Sequence, residues 1–311
     1  MTPSQPTPTS DDRGLLLGDG LFETIPLHGG RPHGLDLHLD RFRSGARALG
    51  LEPPSATQLQ EGVRRALAEL VPAPGAPSVR PDGRLRLTLT AGSGGAGGLA
   101  RPPGGEPMLQ VVAAGFRSDP AWWTEGLRAV RAGRVDPESL VARSGAKHTN
   151  YLERILALRT ARGAGAHEAL LSTPSGELVE GSASALLWWD GARLHLPRAG
   201  ALPSLTIQLL REELDGEDPG EVGWGDRALD GPALESILAG PEGPPGSPLP
   251  PRPSGEIMLA SRLRQLVPVV EVDGRAVGSG RPGPVFRRLQ QLYLERVRSD
   301  LGLPGDSVRG R

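Results

Sequence analysis

No cysteine occurs in the 311 residues, which removes disulfides, thiolate metal sites and thiol nucleophiles from consideration. Lysine is nearly absent too: Lys and Arg together number 35, yet Lys147 is the only lysine. Aromatic residues make up 4% of the chain, with two tyrosines. The net charge of −1 offers no global attraction to nucleic acid or an anionic membrane, and no basic stripe appears. Nowhere is there an apolar run of about 18 residues, the length that spans a bilayer. The opening MTPSQPTPTSDD lacks the basic segment and apolar run of a signal peptide. These absences lead to the expectation of a cytoplasmic protein with no metal centre, no membrane partner and no nucleic-acid partner.

The solitary lysine acquires meaning from what arginine cannot do. Arginine replaces lysine as a point charge or ion-pair partner, but its guanidinium stays protonated and cannot act as a nucleophile. A chain that uses arginine almost everywhere and retains one amine points to amine chemistry at Lys147.

Glycine (44) and proline (32) form nearly a quarter of the chain, distributed between patterned segments, so a loop-rich globular protein of two domains is expected. Residues 1–10 read as a disordered tail, 11–118 as a small N-terminal α/β domain, and 124–300 as a larger domain with a Pro/Gly-rich surface loop at 241–255. Gly14 to Leu27 reads as a strand-like apolar stretch broken by Gly18 and Gly20. Leu35, Leu39, Phe42, Ala46 and Leu49 share one helical face that Gly50 ends. A second helix follows Ser55, a suitable N-cap. RLRLTLT at 84–90 alternates strictly and is predicted to be a strand. The glycine-rich stretch 92–98 lacks the GK[ST] ending of a phosphate loop and reads as a flexible turn. A helix is expected to begin just after Lys147 and to carry Tyr151, Leu152, Ile155 and Leu156. Pro174-Ser175-Gly176 and Asp190-Gly191 each mark a hairpin, a helix covers Leu205 to Leu214, and an amphipathic helix closes the chain from Val285.

Four segments in order resemble the fold-type IV pyridoxal-phosphate enzymes, a family that includes branched-chain aminotransferases, D-amino-acid aminotransferases and aminodeoxychorismate lyases. They are DRGLLLGDGLFET (12–24) with HLDRF (38–42), AKHTNYLERILALRTARGAG (146–165), GELVEGSASALLWW (176–189) with LPSLT (202–206), and SRLRQLVPVVEVDGRAVGSG (261–280) with GPVFRRLQQLY (283–293). The resemblance implies an α/β fold of two domains, the larger barrel-like, with pyridoxal 5′-phosphate (PLP) between them, and a homodimer.

It also implies roles. Lys147 matches the lysine that captures the cofactor aldehyde, and an amine does this only when neutral. Tyr151 is implied as partner of the cofactor's phenolic oxygen. Glu180 matches the acid facing the pyridine nitrogen, where a carboxylate favours a protonated ring that accepts electrons. Arg41 is implied as a phosphate clamp, a role suited to its planar fork. Leu205 and Thr206, at a helix start, are implied as a phosphate cup of amides and a hydroxyl.

The sequence departs from the family pattern at Pro26 and Ala91, where arginines are common, at Ala185, where asparagine is typical, and at Ser204 and Ile207 of the phosphate cup. The cofactor residues are intact while charges on the substrate side are missing. FET at 22–24 leans toward the lyases and D-amino-acid aminotransferases, SRLRQLVPV at 261–269 toward the lyases, and VDGRAVGSG with GPVFRRLQQ toward branched-chain aminotransferases. The leading expectation is an aminodeoxychorismate lyase that forms 4-aminobenzoate and pyruvate, with Lys147 as general base. The alternatives are an aminotransferase acting on branched-chain L-amino acids or D-amino acids, and a degenerate PLP-binding paralogue.

Overall fold

The computed structural model describes residues 6–70, 75, 77–215, 222–239 and 255–304. They form two compact units, one of residues 1–118, 144–151 and 297–311, the other of 119–143 and 152–296. Lys147 and Tyr151 therefore group with the N-terminal part of the chain. Most of the expected loop at 241–255, and residues 1–5 of the expected tail, lie outside the described residues. Pro6 and Thr9 of that tail are hydrogen-bonded, to Gln110 and Ser93.

In the first unit the apolar run after Asp12 is a short helix, α1 (Arg13–Leu17), rather than the expected strand. Asp12 caps it through the Leu15 amide, and Gly18 ends it at φ 68°, a left-handed conformation that favours glycine. Strands β1 (Gly20–His28) and β2 (Arg31–Pro32), helices α2 (Leu35–Ala48) and α3 (Ala56–Ala68), and strands β3 (Gly83–Thr90) and β4 (Met108–Gly115) follow. The antiparallel sheet runs β2-β1-β3-β4. Alternation sends Leu21, Ile25, Leu85, Leu87 and Leu89 into a core with Phe42 and Ala46 of α2 and Leu59, Val63 and Ala66 of α3. Ser55 and Gln58 complete a capping box at α3.

The glycine-rich stretch 92–98, expected to be a flexible turn, is tied down by Arg13. This buried guanidinium donates to the carbonyls of Gly98, Leu99 and Ala100 at 3.0, 2.7 and 3.2 Å and pairs with Asp19 at 2.9 Å. Backbone carbonyls left unsatisfied by irregular structure are met here by a single planar cation.

The second unit contains α4 (Ala121–Thr124), β5 (Leu127–Arg134), α5 (Leu140–Arg143), α6 (Leu152–Gly163), β6 (Glu168–Ser172), β7 (Leu178–Gly181), β8 (Ala185–Trp189), β9 (Arg193–His195), α7 (Leu205–Asp215), β10 (Gly223–Trp224), α8 (Gly231–Leu238), β11 (Glu256–Ser261), β12 (Gln265–Val272) and β13 (Arg275–Ala276). The last helix, α9, spans Pro284–Leu301. The sheet order β8-β11-β12-β5-β6-β7 returns on itself, because Glu180 of β7 pairs with Ala185 of β8. The result is a barrel, which removes open edges. Both expected hairpins are present, β6–β7 and β8–β9. Helix α6 packs Ala157 and Ala161 against Ala169 and Leu171, while Leu152 and Ile155 stay exposed at 66% and 57%. No helix among the described residues is long and apolar enough to cross a membrane.

Candidate active site

Lys147 is placed by strand pairing rather than by a helix. The expected helix starts at Leu152, beyond Tyr151. Residues 147–149 instead run along β1: Phe22 N donates to Lys147 O at 2.8 Å, Thr149 N donates to Gly20 O at 2.9 Å, and Leu21 bridges His148. The half-buried amine donates to the Tyr151 hydroxyl at 2.9 Å and lies 4.6 Å from the Phe22 ring centroid. Phe22 and Tyr151 meet edge to face at 5.1 Å. Both rings leave the amine one specific hydrogen-bond partner and a largely apolar wall.

The face of the sheet bearing Phe22 also carries Arg86, whose guanidinium stacks on the Phe22 ring at 3.8 Å. The register sets Thr24 opposite Arg86 and Pro26 opposite Arg84. Neither arginine has an ion-pair partner among the described residues. Burial against the ring pulls the Arg86 pKa below the ordinary guanidinium value without discharging it at neutral pH. A partly desolvated cation lacking an anion is a ready carboxylate partner. Arg84 and Arg86 of β3 thus place two positive charges on the face that also bears Pro26.

Arg41 is built into a buried triad on the opposite face. Its Nε and Nη2 donate to the two Glu23 oxygens at 2.7 and 2.8 Å, and His38 Nδ1 lies 2.7 Å from Glu23 Oε2. Burial pushes the Glu23 carboxyl up, yet hydrogen bonds from His38 and Arg41 outweigh it and hold it at about 2, against an ordinary 4.5.

In the second unit Glu180 sits at the barrel's closing pair, flanked by Leu171 and Ala185. Its side chain is buried, and Arg154 Nη2 donates to its Oε1. The turn that follows is held by Glu168, 0% exposed. Its Oε1 accepts from the Ser182 amide at 3.1 Å and from the Ser182 hydroxyl, while Arg264 Nη2 pairs with Oε2 at 2.5 Å. At α7, Ser204 caps the helix through the Ile207 amide at 3.3 Å. Ile207 is buried on the inner side, which accounts for an apolar residue at this departure from the family pattern. The amides of Leu205 and Thr206 have no carbonyl partner inside the helix. Thr206 Oγ1 is fully buried with no hydrogen-bond partner among the described residues.

The family model described as amino-transferase class IV matches residues 20–218, well over half of the chain. The chain belongs to the class IV aminotransferase family. It is 25% identical over 300 residues to a D-alanine aminotransferase of Listeria monocytogenes, with 92% of this chain and 90% of that protein covered. It is similar to the structure of 4-amino-4-deoxychorismate lyase from Pseudomonas aeruginosa, at 26% identity and TM-score 0.74, covering 96% and 97% of the two chains. A branched-chain amino acid aminotransferase of Escherichia coli shares the fold at TM-score 0.77 and 21% identity, covering 97% and 92%.

PLP is the cofactor of class IV aminotransferases, and a Mycobacterium tuberculosis aminotransferase of the same fold has been solved in its PLP-bound form. The residues of this chain fit that group. A buried hydroxyl without a partner, set beside two helix-start amides, is costly unless an acceptor such as phosphate meets it. The first unit carries a side-chain amine of the kind an aldehyde needs, and the second, taken by itself, a buried carboxylate of the kind a ring nitrogen needs.

The structure joins Lys147 to Tyr151, and places Leu205 and Thr206 on one helix turn. Arg41 is committed at two nitrogens to Glu23. Sequence reading missed Arg86, Glu23, His38, Glu168 and Arg154. Strand alternation at 84–90 puts Arg86 opposite in sense to the buried leucines, but only the register shows that it shares a face with Phe22. The other four are revealed by pairings distant in sequence.

Proposed function

We propose that this class IV aminotransferase-family protein is a PLP-dependent lyase that converts 4-amino-4-deoxychorismate to 4-aminobenzoate and pyruvate. The observation that carries the reading is Arg86, stacked on the Phe22 ring beside which the Lys147 amine lies, with Arg84 two residues along the same sheet face. The substrate has one amine and two carboxylates, and two guanidinium groups without anions suit a dicarboxylate. The lyase-like SRLRQLVPV segment supports the same assignment.

When bound, PLP supplies an aldehyde that captures amines and a ring that accepts an electron pair. The chain supplies the rest. Thr206 and Leu205, with Arg41 as the family resemblance implies, would hold the phosphate, and Glu180 would hold a proton at the pyridine nitrogen. With the substrate amine held on the cofactor, Lys147 Nζ would be the base that takes the proton from the carbon bearing the substrate nitrogen. Tyr151 directs that amine through its hydroxyl and engages the phenolic oxygen of the cofactor. The ring C–O bond would then break, its electron pair leaving with the enolpyruvyl oxygen, which regains the proton from Lys147 and becomes pyruvate; the ring left behind is aromatic, which drives the step forward.

An aminotransferase is the second reading, supported by the similarity to D-alanine aminotransferase; the same arginines would receive a dicarboxylate acceptor. Incubating the PLP-loaded protein with aminodeoxychorismate, and separately with Leu or D-Ala plus 2-oxoglutarate, tells them apart. Release of 4-aminobenzoate and pyruvate supports the lyase. Glutamate without 4-aminobenzoate rejects it, and no turnover with a normal cofactor spectrum favours the degenerate paralogue.

Arg86→Leu is expected to raise KM for the carboxylate-bearing substrate by about tenfold to a hundredfold, the worth of one charge-assisted hydrogen bond, with kcat little changed. Steady-state kinetics check it; an unchanged KM removes Arg86 from the substrate side. We infer a homodimer, because exposed Leu152, Ile155 and Leu156 on α6 form an apolar patch that a partner surface would cover. Light scattering on the purified protein tests the dimer, and a monomer mass rejects it.

A further inference from the structure

Glu180 has a neighbour to which the proposed chemistry assigns no part. Arg154 rises from the first turn of α6, and its Nη2 donates to Glu180 Oε1 while Nη1 reaches Gly181 O at 3.4 Å. The side chains of the pair are 17% and 4% exposed. Little water competes there, so a guanidinium–carboxylate contact is stronger than on the surface. The Glu180 backbone is fixed by its pairs on β6 and β8, leaving side-chain torsion as its principal freedom. Arg154 restrains that freedom from one side.

We propose that Arg154 is a positioning residue that aims the Glu180 carboxylate and keeps it ionised, so that a proton shared with a bound pyridine nitrogen stays on the nitrogen. This rests on the assignment of Glu180 as the acid facing that nitrogen. In a buried site a carboxylate and a pyridinium relieve two charges at once if the proton crosses to oxygen, giving a neutral acid and a neutral ring. A guanidinium hydrogen-bonded to the carboxylate opposes that transfer, because it stabilises the anion directly. The electron-accepting strength of the ring then depends on a residue that never touches it. Lysine at 154 would preserve the charge and lose the planar fork that reaches both the Glu180 oxygen and the Gly181 carbonyl.

The test is nitrogen NMR on the full-length protein loaded with PLP carrying ¹⁵N in the pyridine ring, for wild type, Arg154→Gln, Arg154→Lys and Glu180→Gln. The chemical shift reads the protonation of the nitrogen directly, which a merely structural residue would leave in place. Arg154→Gln is expected to move the resonance toward neutral pyridine and to weaken PLP binding about tenfold. Arg154→Lys is expected to hold it close to the wild-type position. If Glu180→Gln shifts the resonance and Arg154→Gln does not, the Glu180 assignment stands and the role of Arg154 is overturned. If Glu180→Gln shifts nothing, the assignment beneath the proposal has failed and takes the proposal with it. Should Arg154→Gln not fold, a neutral nitrogen in wild type or in Arg154→Lys near neutral pH overturns the proposal equally.

Discussion

Replacing Lys147 by Arg or Ala abolishes covalent capture of PLP. In the wild type, borohydride treatment of PLP-saturated protein adds the reduced pyridoxyl mass to the peptide containing residue 147. In either variant that addition disappears, along with the absorbance band of the captured cofactor, and turnover falls by at least about 10³, in line with the loss of a general base and nucleophile together. Arginine fails as fully as alanine, because its guanidinium keeps its proton. The experiment is unusually clean here, since Lys147 is the only lysine of the chain and no second side-chain amine can accept the label. Tyr151, 2.9 Å from Nζ, is not needed for capture itself, so Tyr151→Phe should still be labelled. A wild-type protein labelled nowhere at residue 147 would sink the functional assignment entirely.

Replacing Glu23 by Gln destabilises the first unit by about 3–5 kcal/mol, the range for removing one partner of a buried ion pair. Glu23 is 1% exposed and receives His38 and both Arg41 nitrogens. Its loss removes the carboxylate that the guanidinium and the imidazole both meet. The same triad sets an acid limit on stability. The folded carboxyl titrates at about 2, below the ordinary 4.5. A depressed pKa contributes stability that is complete above the unfolded value and is lost as pH falls through the folded one. Wild-type stability therefore drops between pH about 4.5 and about 2, by on the order of 3 kcal/mol from this group, and Glu23→Gln flattens that part of the profile. Denaturant melts across this window decide it; parallel profiles for the two proteins would show that Glu23 is not the titrating group. Because Arg41 is held by Glu23, the variant is also expected to weaken PLP binding if Arg41 holds the phosphate.

Much of the site was legible in the residues themselves. A lone amine in an arginine-rich chain points to Lys147 without any structure, and the family resemblance of the flanking segments nominates Glu180 and Thr206 as candidates. Alternation at 84–90 and the Asp190-Gly191 turn gave strands and a hairpin because those signals are local. The reading went astray where local signals compete. Gly14 to Leu17 is as apolar as a strand, but the Asp12 cap and the left-handed Gly18 close a helical turn first. The helix expected from Lys147 starts at Leu152, because residues 147–149 find backbone partners on β1. The expected flexible turn at 92–98 is braced by Arg13, a partner 85 residues away.

The sequence alone determined the chemistry available to this chain: one nucleophilic amine, no thiols, an acid in a recognisable strand motif, and hydroxyl and amides at a helix start. Identity of functional groups is covalent and needs no folding to be read. Which charges meet was decided only by the tertiary structure. The Glu23–His38–Arg41 triad, the Arg154–Glu180 pair and the stacking of Arg86 on Phe22 join residues 15 to 64 positions apart. Such pairings depend on strand register and burial, because a guanidinium takes its partner from whichever carboxylate or ring the packed backbone brings within a few ångströms.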